Sequence, residues 1–124
     1  MNRIAQYAAV LAPGSADRLE GSHPADPHLR SLLVHMAFAD GQVDENEFDL
    51  LGRVVPDLDT TALLMWVDAE ARRPMDLQAL LDHFEDPEDR QALVDLAKQM
   101  ARADLQLHAG ELQLIEMLTT LVHL

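Results

Sequence analysis

Apolar residues recur along this chain three and four positions apart, the spacing that puts them on one face of a helix. Ile4, Tyr7, Ala8 and Leu11 form the first such stripe, and Ala12-Pro13-Gly14-Ser15 breaks it. A loop rich in Gly and Pro runs from Glu20 to Pro27. Asp26-Pro27 then looks like an N-cap followed by proline at the first helical position, opening a helix through Leu29, Leu32, Leu33 and Met36 that Gly41 is placed to end. A third helix is expected from Asp44 to Pro56, with Phe48, Leu51 and Val55 on one face and a capping box of Asp44 and Glu47. Asp59 precedes a stripe of Leu63, Leu64 and Val67, and Asp76 precedes Leu77, Leu80, Leu81 and Phe84. Asp86-Pro87 with Asp89 opens a long helix through Leu93, Leu96, Ala97 and Met100, and a last helix spans about Ala109 to His123. Alternating apolar and polar positions rich in β-branched residues occur nowhere, so no strand is predicted. The pattern gives an all-α bundle of about seven helices.

Charge narrows the partners. Nine Lys and Arg stand against 22 Asp and Glu, a net of −13, which opposes any surface built to track phosphates and argues against nucleic acid. The absence of Cys removes disulfides, thiolate zinc sites, iron–sulfur clusters and cysteine nucleophiles. The longest apolar run, Ala62 to Val67, falls far short of the roughly 18 to 20 residues of a transmembrane helix. Gln6 and Tyr7 interrupt the N-terminal apolar segment and no cleavage site follows, so it reads as a helix packed on the core and not as a signal peptide.

The informative feature is a repeat. At an offset of 64 residues, the segment Met36 to Leu50 lies over Met100 to Leu114, with Met, Ala, Ala, Asp, Gln, Glu and Leu recurring at matching places. Each copy reads as a helix end, a turn and a helix start, so the domain is expected to hold two pseudo-symmetric helix-turn-helix units. The motif Ala39-Asp40-Gly41-Gln42-Val43-Asp44-Glu45-Asn46-Glu47, repeated as Ala103-Asp104-Leu105-Gln106-Leu107-His108-Ala109-Gly110-Glu111, resembles the tellurite-resistance TerB family. The same fold is known from the N-terminal domain of a membrane-anchored DnaJ-like co-chaperone. The resemblance covers residues 27–124, leaving 1–26 as an N-terminal helix and linker packed on the core. It implies a compact bundle of about seven helices, a cytoplasmic location, an auxiliary role in tellurite or chemical stress, and a divalent metal cation as cofactor, bound by the paired acidic residues. It also implies a protein partner, at the cytoplasmic face of a membrane in the case of the co-chaperone. Leu105 in place of Gly41 and His108 in place of Asp44 make the second turn differ from the first.

The acidic residues support two readings. In one, Asp40, Asp44 and Glu47 converge with Asp104, His108 and Glu111 as mainly oxygen ligands for a hard divalent cation. In the other they are turn and cap chemistry, Asp44 capping a helix and Asp40 and Asp104 accepting turn amides. An EF-hand is excluded, because Glu45 stands where that loop requires Gly and Leu51 where it requires the bidentate Glu. The six His lack an H-E-x-x-H arrangement and read as surface residues, with His23 and His28 a weaker candidate pair for a transition metal. Ser15, Ser22 and Ser31 lie in no nucleophile elbow, and no Gly-rich phosphate loop follows a strand. The chain therefore reads as a non-enzyme. Trp66 and the six Met read as core or as a partner surface.

Overall fold

The computed structural model describes residues 3–12, 15, 17–38, 45–102 and 109–122, the last range without the side chains of 109–111. Among these residues there are seven helices and no strand: α1 (Arg3–Leu11), α2 (Asp26–Ala37), α3 (Glu45–Val54), α4 (Thr60–Ala71), α5 (Leu77–His83), α6 (Pro87–Ala101) and α7 (Ala109–Val122). Three helix starts follow the predicted local chemistry. The Asp59 carboxylate accepts the Ala62 amide at 2.8 Å, Asp76 accepts Ala79 at 2.9 Å and Asp86 accepts Glu88 at 2.9 Å. Each such cap stabilises its helix by about 1 kcal/mol, because it satisfies an amide that has no partner within the helix.

Packing centres on α2 and α6. The close helix pairs are α1·α6, α6·α7, α2·α6, α1·α3, α2·α4, α2·α3 and α2·α7. Since α2 touches four other helices, Leu29, Leu32, Leu33, Val34, Met36 and Ala37 are all buried. On α6 the buried set is Leu93, Val94, Leu96, Ala97, Met100 and Ala101. At the 64-residue offset Leu29 and Leu93, Leu32 and Leu96, Leu33 and Ala97, Met36 and Met100, Ala37 and Ala101, and Val54 and Leu118 are buried in both members, whereas Val34 is buried and Lys98 is exposed. The turns of the two copies, residues 39–44 and 103–108, lie outside the described residues, so the predicted end of α2 at Gly41 does too.

Three expectations are corrected. Asp26 is not the N-cap of α2; that position is Ala25, which makes no side-chain cap. Asp26 is the first residue of the helix, and its carboxylate is committed to Arg3 of α1. On α4, Leu63 and Val67 are buried, but Leu64 is 55 % exposed. Among the close pairs α4 packs only on α2, so its buried face is narrow and Leu64, about 100° around the helix from Leu63, falls outside it. On α3 the fully buried positions are Glu47, Leu51 and Val54, with Phe48 only half-buried. Leu51 and Val55, just past the helix end, are buried as predicted; the departure is that Glu47 takes the fully buried place expected of Phe48. A Cβ at Gly52 would meet the Leu63 side chain at 3.3 Å, which marks how closely α3 approaches α4.

The Gly/Pro segment before α2 is exposed from Glu20 to Pro24 but fastened at both ends. Leu19 is buried and its amide donates to the Arg53 carbonyl at 2.9 Å, while Ala25 is buried at the start of α2. Gly21 adopts φ 70°, a conformation natural to glycine, and thereby presents its carbonyl to the Arg3 guanidinium at 3.0 Å.

Candidate functional site

Of the six residues singled out for metal binding, the structure places one side chain. Glu47, in the first turn of α3, is 2 % exposed. Its helix packs on α1 and α2, and the partial positive charge of the helix N-terminus favours a carboxylate in the first turn. Burial of a carboxylate is costly unless other groups compensate its lost hydration. Asp40, Asp44, Asp104 and His108 lie outside the described residues; Glu111 falls in the first turn of α7, but its side chain is also outside them. Among the described residues no group of three or more His, Asp and Glu is arranged to hold a metal ion. His23 and His28 face different partners: the His23 Nδ1 accepts the Ala25 amide at 3.0 Å, and His28 stacks on His83.

The outward face of α3 and the start of α4 border an open cleft of about 710 Å³ lined by Arg18, Glu45, Asn46, Asp49, Arg53 and Thr60, among others. Its charges are already engaged in part, since Arg53 Nη2 donates to Asp49 at 3.0 Å and Nη1 donates to the Ser15 carbonyl.

Sequence reasoning missed two clusters around the first turn of α2. In the first, Arg3 Nε and Nη2 donate to the two oxygens of Asp26 at 2.8 and 3.0 Å. Its other N–H groups donate to Gln6 Oε1, the Glu20 carbonyl and the Gly21 carbonyl, so all five guanidinium donors are used. Asp26 also accepts the Tyr7 hydroxyl at 2.9 Å and the His23 amide at 3.0 Å. Burial opposes the charge of Asp26, but the hydrogen bonds from Arg3 and Tyr7 outweigh it and hold the carboxyl below its ordinary range. The bond to Asp26 raises the Arg3 value, and burial followed by that same carboxylate pushes the Tyr7 phenol upward. A cluster so fully satisfied has no group left for a ligand; it joins α1 to α2. The signal that pointed to it is Arg3 and Tyr7 one turn apart on the apolar face of α1, where a cation needs a buried partner.

In the second cluster the rings of His28 and His83 stack with centroids 4.6 Å apart and planes at 29°, and His83 in turn meets Phe84 edge-on at 4.9 Å. Burial, with a smaller contribution from His83, lowers the His28 value from the ordinary imidazole range.

With the fold and these sites in place, comparison with known families decides the affiliation. The family described as Tellurite resistance protein TerB matches residues 27–124. The chain belongs to the TerB family. The TerB match begins at Pro27, so it takes in α2 from its second residue and all of α3 to α7, whereas Arg3, Tyr7 and the rest of α1 precede it. No curated protein and no solved structure matches the chain.

Proposed function

We propose that this TerB-family chain is a non-enzymatic accessory of tellurite or chemical-stress resistance that binds a divalent cation through its repeated acidic turns. The observation that supports this is the burial of Glu47. A capping box does not require burial, whereas this glutamate lies inside the bundle, three residues after Asp44 in the sequence. On this reading Asp40, Glu47, Asp104 and Glu111 lie near one another, with Asp44 and His108 completing the ligand set. Carboxylates so placed repel one another until a cation relieves them, and binding to the folded state alone raises stability by mass action. The test is a thermal melt at neutral pH with magnesium, calcium, manganese or zinc, against a monovalent salt of equal ionic strength and against Asp40→Asn combined with Asp104→Asn. A cation-specific rise is expected in the wild type and not in the double variant; an equal rise in both retires the site.

A second reading, a metal-free module that docks on a protein partner, is favoured by exposed apolar side chains on two helices. Leu64 and Met65 of α4 are 55 and 70 % exposed, and Leu112 and Met117 of α7 are exposed as well. Elemental analysis of the protein as purified separates the two, since only the first reading carries stoichiometric metal. Both readings place the chain in the cytoplasm. Among the described residues no helix is long and apolar enough to cross a membrane.

A further inference from the structure

We propose that the stacked pair His28 and His83 is an acid-released latch that holds α5 against the first turn of α2. The stack joins the two helices at a place where little else does. Among the described residues α5 belongs to none of the close helix pairs. A hollow of about 250 Å³ opens between its Ala79 and Leu80, the Pro27–Ser31 side of α2 and the end of α4. Leu77, Leu80, Leu81 and Phe84 anchor α5 by their buried side chains, but His83 reaches across to α2 from the exposed side.

Neutral rings can stack at 4.6 Å; two imidazolium rings at that distance repel. His28 is doubly ill placed for a positive charge, being half-buried and in the first turn of α2, where the helix dipole opposes a cation. Its lowered value is in keeping with that placement. The charged groups around the pair do not cancel the repulsion. On α2, Asp26 is committed to Arg3, with Arg30 3.9 Å away. At the end of α4, Glu70 lies 3.7 Å from Arg73. On α5, Asp76 accepts the Ala79 amide and Asp82 accepts Gln78. Beyond α5, Glu85 is exposed, and Arg90 adds a cation that donates to the Leu81 and Phe84 carbonyls at 3.0 and 2.7 Å. Protonation of both rings therefore weakens the hold of α5 on α2, while α2 and α6 keep their packing on each other.

The experiment is amide hydrogen exchange of the full chain at pH 7.5 and pH 5.5, corrected for the intrinsic pH dependence, on the wild type, on His83→Phe and on His28→Phe combined with His83→Phe. Phenylalanine keeps a ring for stacking and cannot take a proton. In the wild type the protection of the α5 amides is expected to fall about threefold at pH 5.5, the scale of one partly screened charge pair, with the α6 amides unchanged. The fall should be smaller in His83→Phe and absent in the double variant. Because His83 is exposed, the single variant keeps the test valid even where the double variant folds poorly. An equal fall in wild type and His83→Phe, no fall in the wild type, or a fall spread evenly over α2, α5 and α6 would overturn the latch.

Discussion

The two sides of the first turn of α2 are fastened by opposite electrostatic strategies. On one side Arg3 and Asp26 join α1 to α2 through complementary charges whose donors and acceptors are all engaged. On the other, His28 and His83 join α5 to α2 through two stacked rings that repel once both carry a charge. The first contact is strengthened by ionisation and the second is weakened by it. A single helix end can thus be held rigidly toward one neighbour and conditionally toward another, with proton concentration deciding only the second.

The most damaging change to this arrangement should be Arg3→Ala, which leaves Asp26 buried without its cation. The expected loss is about 3 to 5 kcal/mol, the usual cost of removing one partner of a buried pair, and chemical denaturation measures it. Replacing Asp26 by Asn should be comparably severe, whereas Gln6→Ala, at a group that supplies one of the five acceptors, should cost far less. If Arg3→Ala loses under 1 kcal/mol, the contrast between the two sides collapses.

Acid should separate the sides next. The Asp26 carboxyl is held below its ordinary value near 4, so its contribution is complete above that pH and is lost as the pH falls below it. His28 is also lowered, but from the imidazole range; its neutral form stabilises the fold fully above about pH 6.5, and that contribution disappears as the pH drops below 6.5. Two acid limbs are therefore expected in a stability-against-pH profile, a shallow one beginning near pH 6.5 and a steeper one below about 4. His83→Phe should make the first slightly shallower, since burial is the larger cause, and Arg3→Met should flatten the second.

Smaller still is the effect of loosening α5 at its other end. Asp76→Ala removes the cap on Ala79 and should cost about 1 kcal/mol, and the same change at Asp59 should cost about as much for α4. Because α5 belongs to none of the close helix pairs among the described residues while α4 packs on α2, Asp76→Ala should raise hydrogen exchange in α5 more than Asp59→Ala raises it in α4. The least effect is expected of Gly52→Ala. A helix interior gains up to about 1 kcal/mol from the exchange, but the new Cβ meets Leu63 at 3.3 Å, so the two nearly cancel in a melt.

What could be read from the chain beforehand divides along the same line between local and distant contacts. The starts at Asp59, Asp76 and Asp86 were legible because a cap is made with an amide two or three residues away. Asp26 carries the same local signature, an acid before proline, yet its partner is Arg3, 23 residues back, and tertiary pairing took the carboxylate out of the capping role. Leu64 fits a helical stripe, but α4 is apolar on several faces, and periodicity alone does not tell which face a single neighbour will cover. The histidines read as surface residues, His28 with His23 a weaker metal pair, because nothing in the spacing of His28 and His83 announces a stack across two helices. In the acidic motif, the sequence marked Glu47 for its chemistry; its burial followed only from how α3 turns toward α1 and α2.

The pairing of α1 with α6 carries a consequence for how the chain is made. Gln99 of α6 donates to the Ala8 carbonyl at 2.9 Å, a contact between residues 91 positions apart. On a ribosome adding about 5 to 20 residues per second, α1 emerges roughly 5 to 20 s before the helix that covers it. During that interval Ile4, Tyr7, Val10 and Leu11 have no α6 to rest against. Until then α3 alone of its close helix partners can cover part of that apolar stripe, so its full burial waits for nearly the whole chain to be made.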